Sequence, residues 1–389
     1  MKNAIIIGGS NGVGLSISKD LVTKNYHAII LDKVAPAEKL NDSFTYIPCN
    51  LLEPNEDLYN RLAADTSCDM LVITAGYGHI TDFENMHISE IQNILQVNAV
   101  SIMKIIKHFY HRIKSPQSFH TAIMCSIAGL VNSPLFAVYS ASKAALCRFI
   151  ESVNTELEAQ GFDNRILNVS PGSISGTRFN GGNNDTSLTR KIASDINDAA
   201  IRKETLLIPD YDTVYKNVLE RYHSDPRKFG LESYAYKMNS GRMKNKRSVV
   251  IGYLSGTFDL FHVGHLNLLR RAKDKCDYLI VGVHPDGSHK GKTTVIPFEE
   301  RLAVVGGCKY VDKVVRSCQE DSDAWRIHKF DKLFVGSDYK GSERFAKYES
   351  FFADKNVEII YFDYTQSTNS TKIRNNIVQA TINNTDKKE

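Results

Sequence analysis

The sequence has few of the features that would assign it to a membrane, nucleic-acid-binding or secreted protein. No apolar run approaches the roughly 18 residues that a membrane-spanning helix requires. Lys and Arg number 48 against 44 Asp and Glu, so the net charge of +4 is small for 389 residues and does not indicate a nucleic-acid partner. An apolar, strand-like run begins within the first few residues, which leaves no place for a secretory signal peptide. The small positive charge remains compatible with small anionic substrates.

The cysteines also lack the spacing of a disulfide framework or a metal site. There are seven, an odd number, with no C-x-x-C pair and no histidines at metal-ligand spacing. Cys125 lies in an apolar run, Ala122-Ile-Met-Cys125. We therefore predict reduced thiols, mostly buried, no protein-bound metal and a cytoplasmic location.

The length and the pattern of apolar runs predict two α/β domains. A chain of 389 residues is too long for one ordinary core. Short apolar runs alternate with longer amphipathic stretches, such as residues 89–114 and 139–160, which is typical of doubly wound parallel sheets. The runs are 4–7, 27–31, 70–73, 121–124 and 165–169, then 249–254, 278–283, 332–335 and 357–362. A polar stretch over 239–247 separates them, so we predict Rossmann-like domains over 1–238 and 248–389, joined by a linker.

A glycine-rich turn follows the first predicted strand and opens a helix. Gly8, Gly12 and Gly14 allow a tight turn and the close approach of a pyrophosphate to the helix N-terminus. Asp32 ends the second predicted strand, where a carboxylate can bind the ribose hydroxyls of a dinucleotide and repel a 2′-phosphate. Lys33 could instead pair with a 2′-phosphate, and a surface acid is the alternative role for Asp32.

Tyr139 and Lys143 are four residues apart and share one face of a predicted helix. A lysine ammonium beside a phenol is expected to lower the pKa of the phenol, which makes Tyr139 a proton donor to a carbonyl. Ser126, which follows a predicted strand 13 residues earlier, could hold the same carbonyl oxygen. Asn98 lies in a helix-like stretch, where an ordinary surface polar residue is the alternative.

Over roughly residues 1–235, this combination resembles the short-chain dehydrogenase/reductase family. The motifs are the three glycines, Thr74-Ala-Gly76, Asn98, Ser126, Tyr139/Lys143 and Pro171-Gly172 with Thr177. The resemblance implies Tyr139 as acid/base, Lys143 as ribose contact and pKa modifier, Ser126 as substrate orienter and Asn98 in a proton relay. It implies NAD(H) or NADP(H), and Asp32 favours NAD(H). The dinucleotide contacts that it implies are Gly8, Ser10, Asn11, Gly12, Gly14, Asp32, Asn50, Ala75, Gly76, Pro171, Gly172 and Thr177.

The family usually has aspartate where this sequence has Asn50, whose amide can still hydrogen-bond to the adenine. The resemblance also implies a substrate lid over residues 173–205. Five basic side chains there could hold a substrate phosphate, although a solvated helix face explains most of them equally well. They are Arg178, Arg190, Lys191, Arg202 and Lys203.

A second site is indicated by His262 and His265, three residues apart with Gly264 between them. They stand at the start of a predicted helix over 262–272. Imidazoles beside the free N–H groups of a helix N-terminus suit a phosphate chain. A metal site is the less favoured alternative, because no third ligand lies nearby in sequence.

Over roughly 248–380, the chain resembles the cytidylyltransferases of the glycerol-3-phosphate and phosphocholine type. The motifs are Gly256-Thr-Phe-Asp259, His262-x-Gly-His265, His289-Lys-Gly-Lys292, Phe298-Glu-Glu-Arg301, Tyr310-Val-Asp-Lys-Val314 and Ser370-Thr371. The resemblance implies attack by a substrate phosphate on the α-phosphorus of CTP, with Mg²⁺ accompanying CTP. It implies that His262 and His265 hold the triphosphate and that Lys290 lies between the reacting phosphates. The other implied nucleotide contacts are Gly256, Thr257, Phe258, Asp259, Gly264, Arg301, Asp338, Ser370 and Thr371.

The sequence departs from this family at Tyr364, where an arginine is common. Either Lys292, Arg301 or Arg374 compensates, or the acceptor differs from glycerol 3-phosphate. For Trp325, a place in the acceptor pocket and a place in the core are equal alternatives.

The fusion suggests that the product of one site is the substrate of the other. A reductase can make the alcohol phosphate that such a cytidylyltransferase needs, so we predict reduction of a ketose phosphate and conversion of the alditol phosphate to a CDP-alditol for surface polymers. Ribulose 5-phosphate to CDP-ribitol is favoured, and dihydroxyacetone phosphate to CDP-glycerol is the alternative. A non-catalytic dinucleotide-binding domain and an ATP-dependent second domain also remain open. By resemblance, the chain forms a homodimer or homotetramer.

Overall fold

Two parallel β-sheets organise the chain in the computed structural model, a seven-stranded sheet and a five-stranded sheet. The chain divides into two compact units, Met1–Lys246 and Arg247–Glu389. The structure describes residues 2–53, 55–86, 88–177, 179, 184–239, 250–286, 293–363, 370, 373 and 374. The α/β fold with two parallel sheets is therefore confirmed, and each unit is described by itself.

The first sheet has the order β3-β2-β1-β4-β5-β6-β7, all parallel. The strands are β1 (Lys2–Ile7), β2 (Tyr26–Asp32), β3 (Phe44–Pro48), β4 (Cys68–Ile73), β5 (His120–Met124), β6 (Ile166–Val169) and β7 (Leu206–Leu207). The apolar runs located five of them. The sequence reading missed β3, a half-exposed edge strand, and β7, which has only two residues. Both lack the continuous apolar run that marks a strand buried on both faces.

Helices cover both faces of this sheet. They are α1 (Gly12–Thr23), α2 (Glu56–Ala64), α3 (Ile88–Leu95), α4 (Ser101–Ile113), α5 (Ala137–Ala159), α6 (Thr186–Ile201), α7 (Lys216–Ser224) and α8 (Pro226–Asn239). The apolar sides of α1 and α6 fill one core, and those of α2, α4 and α5 fill the other. Two π-helical turns, Gln96–Val100 and Tyr211–Tyr215, precede α4 and α7. The helix predicted over 89–114 is thus two helices with a π-helical turn between them.

The second sheet has the order β10-β9-β8-β11-β12, again all parallel. Its strands are β8 (Ile251–Gly256), β9 (Tyr278–Val283), β10 (Lys313–Arg316), β11 (Lys332–Gly336) and β12 (Glu358–Phe362). Its helices are α9 (Val263–Lys273), α10 (Phe298–Gly306), α11 (Asp321–His328) and α12 (Glu343–Phe352). Cores on the two faces again pack against different helices. In both sheets the chain order reverses beside the first strand, where open α/β sheets bind ligands at the carboxyl ends.

Two predictions about surface and core can be checked directly. All seven cysteines are free thiols; four are buried and Cys276, Cys308 and Cys318 are half-buried. Among the helices that the structure describes, none combines the length and the apolar character needed to cross a membrane.

Candidate active sites

The glycine-rich turn lies between β1 and α1, at the carboxyl edge of the first sheet. Gly8 has φ +88°, and a Cβ atom there would lie 2.5 Å from the backbone nitrogen of Ala75. A Cβ atom on Gly14 would lie 2.1 Å from the carbonyl oxygen of Gly8. Any larger side chain would therefore force the turn apart. Gly12, at φ +50°, has more space, and its nearest neighbour is Thr177. The predicted contacts Gly8, Ala75, Gly12 and Thr177 thus lie together.

Asp32 stands where β2 ends, beside this turn. Its Oδ2 accepts a hydrogen bond of 3.1 Å from the backbone N–H of Ser10. The hydroxyl of Ser10 is fully buried and has no hydrogen-bond partner among the described residues. Asn11 is bridged to Asn184, whose Nδ2 donates to its Oδ1 at 2.7 Å. Asn50 is exposed and its Oδ1 accepts from the backbone N–H of Leu52.

Tyr139 and Lys143 occupy the first turns of α5, and Ser126 follows β5. The Nζ of Lys143 donates to the carbonyl oxygen of Met124 at 2.8 Å and lies 5.8 Å from the centre of the Tyr139 ring. Ser126 hydrogen-bonds to the Tyr139 hydroxyl. All three side chains are buried. The three residues predicted for proton transfer are therefore brought together.

The charge environment of Tyr139 differs from the prediction. We expected Lys143 to lower the pKa of the phenol, but burial raises the pKa of Tyr139 to about 12, and the Ser126 hydrogen bond lowers it only in part. Burial also lowers the pKa of the Lys143 ammonium. The reason is that desolvation disfavours the charged form of each group. In the protein alone, the phenol is therefore firmly protonated at neutral pH.

Asn98 is fully buried, which rules out the surface alternative. It lies in the π-helical turn Gln96–Val100. Its Oδ1 accepts from the N–H of Tyr77 at 3.0 Å, and its Nδ2 donates to the carbonyl oxygen of Tyr77 at 2.8 Å and to Ser142 Oγ at 3.1 Å. A Cβ atom on Gly76 would lie 3.3 Å from Asn98 Oδ1 and 3.2 Å from Lys143 Nζ. Asn98 therefore joins the loop after β4 to α5.

Pro171 and Gly172, which follow β6, form another wall of this site. The carbonyl oxygen of Pro171 accepts from the N–H of Ile127, next to Ser126, at 2.9 Å. The hydroxyl of Tyr215 lies so close to Gly172 that a Cβ atom there would be 1.5 Å away. Tyr215 was not predicted from the sequence, because it stands in a π-helical turn with no recognisable motif.

Aromatic rings surround the Tyr139 phenol. The Phe136 ring lies 5.3 Å from the Tyr139 ring, and the Phe179 ring lies 5.2 Å from it. Phe136 and Phe179 stack with an interplanar angle of 7°. The Tyr139 ring therefore packs against aromatic side chains on this side of the site.

The basic residues expected in the lid lie mostly on the solvent side of α6 or just after it. Lys191 pairs with Asp195 at 2.7 Å, and Arg202 pairs with Glu204 at 2.8 Å. Arg190, Lys191 and Arg202 are exposed, whereas Lys203, which follows α6 with φ +60°, is half-buried. The alternative of a solvated helix face, and not a site for the substrate phosphate, therefore describes Arg190, Lys191 and Arg202. Arg178 lies outside the described residues.

In the second domain, His262 and His265 stand at the N-terminus of α9. His262 is the N-cap residue, and its Nδ1 accepts a 3.1 Å hydrogen bond from the N–H of Gly264. The two imidazole rings stack with their centres 3.9 Å apart. Burial lowers the pKa of His262. Since Nδ1 accepts, the neutral ring carries its proton on Nε2 and can donate it to a ligand.

The loop Gly256–Asp259 is held to the C-terminal motif. The Ser370 hydroxyl donates to the carbonyl oxygen of Asp259 at 2.8 Å, and Arg374 Nη2 donates to Asp259 Oδ2 at 2.9 Å. The Asp259 carboxylate also accepts from the N–H groups of Val295 and Ile296. Burial acts to raise its pKa, but these hydrogen bonds prevail and lower it. Segments more than 100 residues apart in sequence thus meet at Asp259.

Arg301 is almost fully buried, and its guanidinium is directed at loop carbonyl groups. It donates to the carbonyl oxygens of Thr257 (2.6 Å), His284 (2.8 Å), Pro285 (2.6 Å) and Ile296 (2.9 Å). It therefore fastens together the loops after β8 and β9 and the segment before α10. Arg301 and Asp259 are predicted nucleotide contacts; in the structure both side chains also bind the protein itself, and their contact with a nucleotide stays a prediction.

The remaining predicted residues fall into three groups. Phe258, with φ +53°, is buried and lies 5.2 Å from the His265 ring, so it supports the histidine. The buried hydroxyl oxygen of Thr257 has no partner among the described residues, and Asp338 is exposed in a 3₁₀ turn after β11. Lys290, Thr371, Lys292 and Tyr364 lie outside the described residues.

Trp325 belongs to the core and not to an acceptor pocket. Its Nε1 donates to the carbonyl oxygen of Phe330 at 3.1 Å, and its ring packs edge-on against Phe351 and Phe352. Within the parts of the chain that the structure describes, no group of three His, Cys, Asp or Glu side chains is arranged to hold a metal ion.

Comparisons with known proteins match the two units to different families. The family model described as short chain dehydrogenase matches residues 2–188, and the one described as cytidylyltransferase-like matches residues 253–376. The second unit is 32% identical over 126 residues to glycerol-3-phosphate cytidylyltransferase of Bacillus subtilis, which is 31% of this chain and 92% of that protein. The first unit is 28% identical over 189 residues to an uncharacterised oxidoreductase of Saccharomyces cerevisiae, 46% of this chain and 58% of that protein.

A further match is to the bifunctional protein HldE of Granulibacter bethesdensis, at 42% identity over 98 residues. The chain spans only 20% of that protein's length. The matches of high coverage therefore concern single domains.

Proposed function

The chain is a fusion of a short-chain dehydrogenase domain with a member of the cytidylyltransferase family, and from this premise we propose that it performs two successive reactions on one substrate. The first domain reduces a ketose phosphate to an alditol phosphate, and the second transfers CMP from CTP to that phosphate. The observation that carries the proposal is the presence of two complete constellations in one chain: Tyr139, Lys143, Ser126 and Asn98 in the first unit, and the stacked histidines at the α9 N-terminus in the second.

In the reduction, Tyr139 gives its proton to the carbonyl oxygen as that carbon receives a hydride. Bound NADH would supply the hydride from its dihydronicotinamide ring. A phenol with a pKa of about 12 holds its proton at neutral pH and is available as an acid. The neighbouring Lys143 ammonium stabilises the phenolate that forms, and Ser126 orients the carbonyl oxygen. Asn98 holds the loop and helix that carry these groups.

The residues of the first site suit a dinucleotide, and NADH more than NADPH. Gly8 and Gly14 bring the backbone close at the N-terminus of α1, where a pyrophosphate binds. The Asp32 carboxylate, fixed by the Ser10 N–H, would accept from ribose hydroxyls and repel a 2′-phosphate.

In the transfer, an oxygen of the alditol phosphate forms a bond to the α-phosphorus of CTP. The bond between the α-phosphorus and the bridging oxygen breaks, and pyrophosphate leaves. His262 and His265 would hold the phosphate chain beside the N–H groups of α9, with Lys290, Ser370 and Thr371 as further contacts. Mg²⁺ would accompany CTP, bound largely by phosphate oxygens and water. Arg301 and Asp259 would keep the surrounding loops in place.

For the acceptor we favour ribitol 5-phosphate, made from ribulose 5-phosphate, and a role for the CDP-alditol in surface-polymer synthesis. The name of the Bacillus subtilis relative supports the second candidate, CDP-glycerol made from dihydroxyacetone phosphate. A non-catalytic first domain is less well supported, because its proton-transfer residues are complete.

The test is a screen of ketose phosphates with the purified protein, NADH or NADPH, CTP and Mg²⁺. We expect nicotinamide oxidation with a ketose phosphate and, when CTP is present, a CDP-alditol detected by mass spectrometry. The proposal is wrong if no ketose phosphate supports nicotinamide oxidation, or if the alditol phosphate formed is not an acceptor for CMP.

A further inference from the structure

The segment that follows β7 contacts the reductase site at two places, Gly172 and the loop before α5. This segment, residues 211–239, lies beyond the matched range 2–188. Near its start, the Tyr215 hydroxyl lies against Gly172. Further on, the N-terminal end of α8 lies on the loop before α5, since Asn132 Nδ2 donates to the carbonyl oxygen of Pro226 at 3.0 Å. A Cβ atom on Gly230 would lie 2.7 Å from the same nitrogen, so α8 packs tightly there.

Lys237, near the end of α8, places an ammonium group on this loop. Its Nζ donates to Ser133 Oγ at 2.7 Å and to the carbonyl oxygen of Pro134 at 2.8 Å. It also lies 5.5 Å from the centre of the Phe136 ring. The side chain is half-buried, and burial lowers the pKa of Lys237 to about 8. A half-buried ammonium attracts an anion more strongly than an ammonium in bulk water, because the local dielectric constant is lower.

The ammonium is also near the reacting end of the site. The Phe136 ring contacts the Tyr139 ring, with their centres 5.3 Å apart. The Phe136 ring thus adjoins both the Lys237 ammonium and the Tyr139 ring. Lys191 and Arg202, by contrast, are exposed to solvent. Among the basic side chains considered, Lys237 is the better placed to reach a substrate at Tyr139.

We propose that Lys237, together with the loop Ser133–Phe136, binds the phosphate end of the carbonyl substrate. This inference rests on the proposed reduction of a ketose phosphate. The ammonium and the Ser133 hydroxyl would donate to phosphate oxygens while the carbonyl carbon lies at Tyr139. The site would select phosphorylated ketoses over free ones, because the interaction requires the anion.

The experiment compares Lys237→Met and Lys237→Arg with the wild-type chain. The control is Lys191→Met, which removes an exposed lysine of α6. Each protein is assayed with ribulose 5-phosphate and with unphosphorylated ribulose. Binding of inorganic phosphate to the protein–NADH complex is measured by calorimetry, and NADH affinity and thermal stability are measured for each variant.

We expect Lys237→Met to lower kcat/KM for ribulose 5-phosphate by roughly 10- to 100-fold, mostly through KM, and to abolish phosphate binding. Activity on ribulose and NADH affinity should be unchanged, and Lys237→Arg should restore part of the loss. Equal losses on both substrates would show that Lys237 only holds α8 against the loop before α5, and this would overturn the inference. Unchanged phosphate binding in Lys237→Met would overturn it as well. If the wild-type chain reduces no ketose phosphate yet binds phosphate through Lys237, the proposed substrate is wrong and the anion site stands.

Discussion

At the scale of single residues, the Tyr139 hydroxyl is the group on which the reduction depends. Replacing it in Tyr139→Phe removes the proton donor but keeps the ring that packs against Phe136 and Phe179. We expect NAD(P)H oxidation to fall by roughly 10²- to 10⁴-fold, as loss of a general acid does. CMP transfer to added alditol phosphate should not change. Tyr236→Phe, on an exposed ring of α8, is the matched control and should leave both rates intact. A Tyr139→Phe protein that still reduces at the wild-type rate would contradict this role.

The choice between the two dinucleotides should depend on the charge of Asp32. In Asp32→Asn, the amide oxygen can still accept from the Ser10 N–H, so the turn is preserved while the negative charge is removed. We expect the ratio of kcat/KM for NADH to that for NADPH to fall by roughly 10- to 100-fold, because repulsion of the 2′-phosphate is lost. Steady-state kinetics with each nucleotide measures the ratio, and Asp42→Asn in the loop before β3 is the control. An unchanged ratio would mean that Asp32 does not select the nucleotide.

Individual residues also show which features of the sites the sequence could not predict. The motifs identified Tyr139, Lys143 and Ser126, which the fold brings together, because strand ends in a parallel sheet share one edge. They could not separate residues that face the site from residues that hold it. Asn98 and Arg301 belong to the motifs from which the sites were predicted. In the structure, the Asn98 amide is bonded to Tyr77 and Ser142, and the Arg301 guanidinium is bonded to loop carbonyl groups. Only the three-dimensional arrangement of the backbone reveals those partners.

At the scale of elements, the N-terminus of α9 gives His262 two roles that substitution can separate. The ring caps the helix by accepting from the Gly264 N–H at Nδ1, and in its neutral form it carries a proton on Nε2 that it can donate to a ligand. In His262→Asn the cap can be kept, whereas His262→Ala removes it and should cost about 1 kcal/mol of stability. Both variants should lose most CMP transfer and keep NAD(P)H oxidation. Thermal denaturation and the two activity assays distinguish the roles; equal stability of the two variants would show that the cap contributes nothing.

The same ring makes the helix cap sensitive to acid. Protonation of Nδ1 removes the acceptor for the Gly264 N–H. Because burial lowers the pKa of His262 in the folded chain, its contribution to stability is complete above the unfolded-state pKa of about 6.5 and is lost as the pH falls through the lower folded-state pKa. His262→Asn, which does not titrate there, should show a smaller loss of stability of the second domain over that range.

Two kinds of element were not predicted correctly from the sequence, each for a physical reason. The apolar spacing through residues 89–114 predicts one amphipathic helix, but the π-helical turn at Gln96–Val100 interrupts it, and Asn98 in that turn is buried. A short edge strand such as β3, which is only partly buried, is too brief to give a recognisable strand pattern in the sequence. Longer elements with a clear apolar pattern, such as the fully buried strand β4 and the amphipathic helix α5, were located to within a few residues.

At the scale of the whole molecule, each unit has its own sheet and its own pair of cores. The sequence predicts two α/β domains because the motifs of each family lie within one continuous stretch of the chain. It could not predict the substrate, since specificity depends on segments such as 211–239 that carry no motif. Substitutions in one unit are therefore expected to leave the chemistry of the other intact.

Coupling of the two reactions through a shared product can be tested in one vessel. Reduction of a ketose phosphate by NADH is reversible, so NADH oxidation stops at equilibrium. If the second domain removes the alditol phosphate, addition of CTP should increase the extent of NADH oxidation, and pyrophosphatase should increase it further.

Neither addition should act in His265→Asn, whose reductase site is intact, and Tyr139→Phe should form no CDP-alditol from the ketose phosphate. Mixing these two variants should restore the CDP-alditol, because the intermediate can pass through solution. If CTP leaves the extent of NADH oxidation unchanged in the wild-type chain while CMP transfer proceeds on some other acceptor, the two domains do not share a substrate.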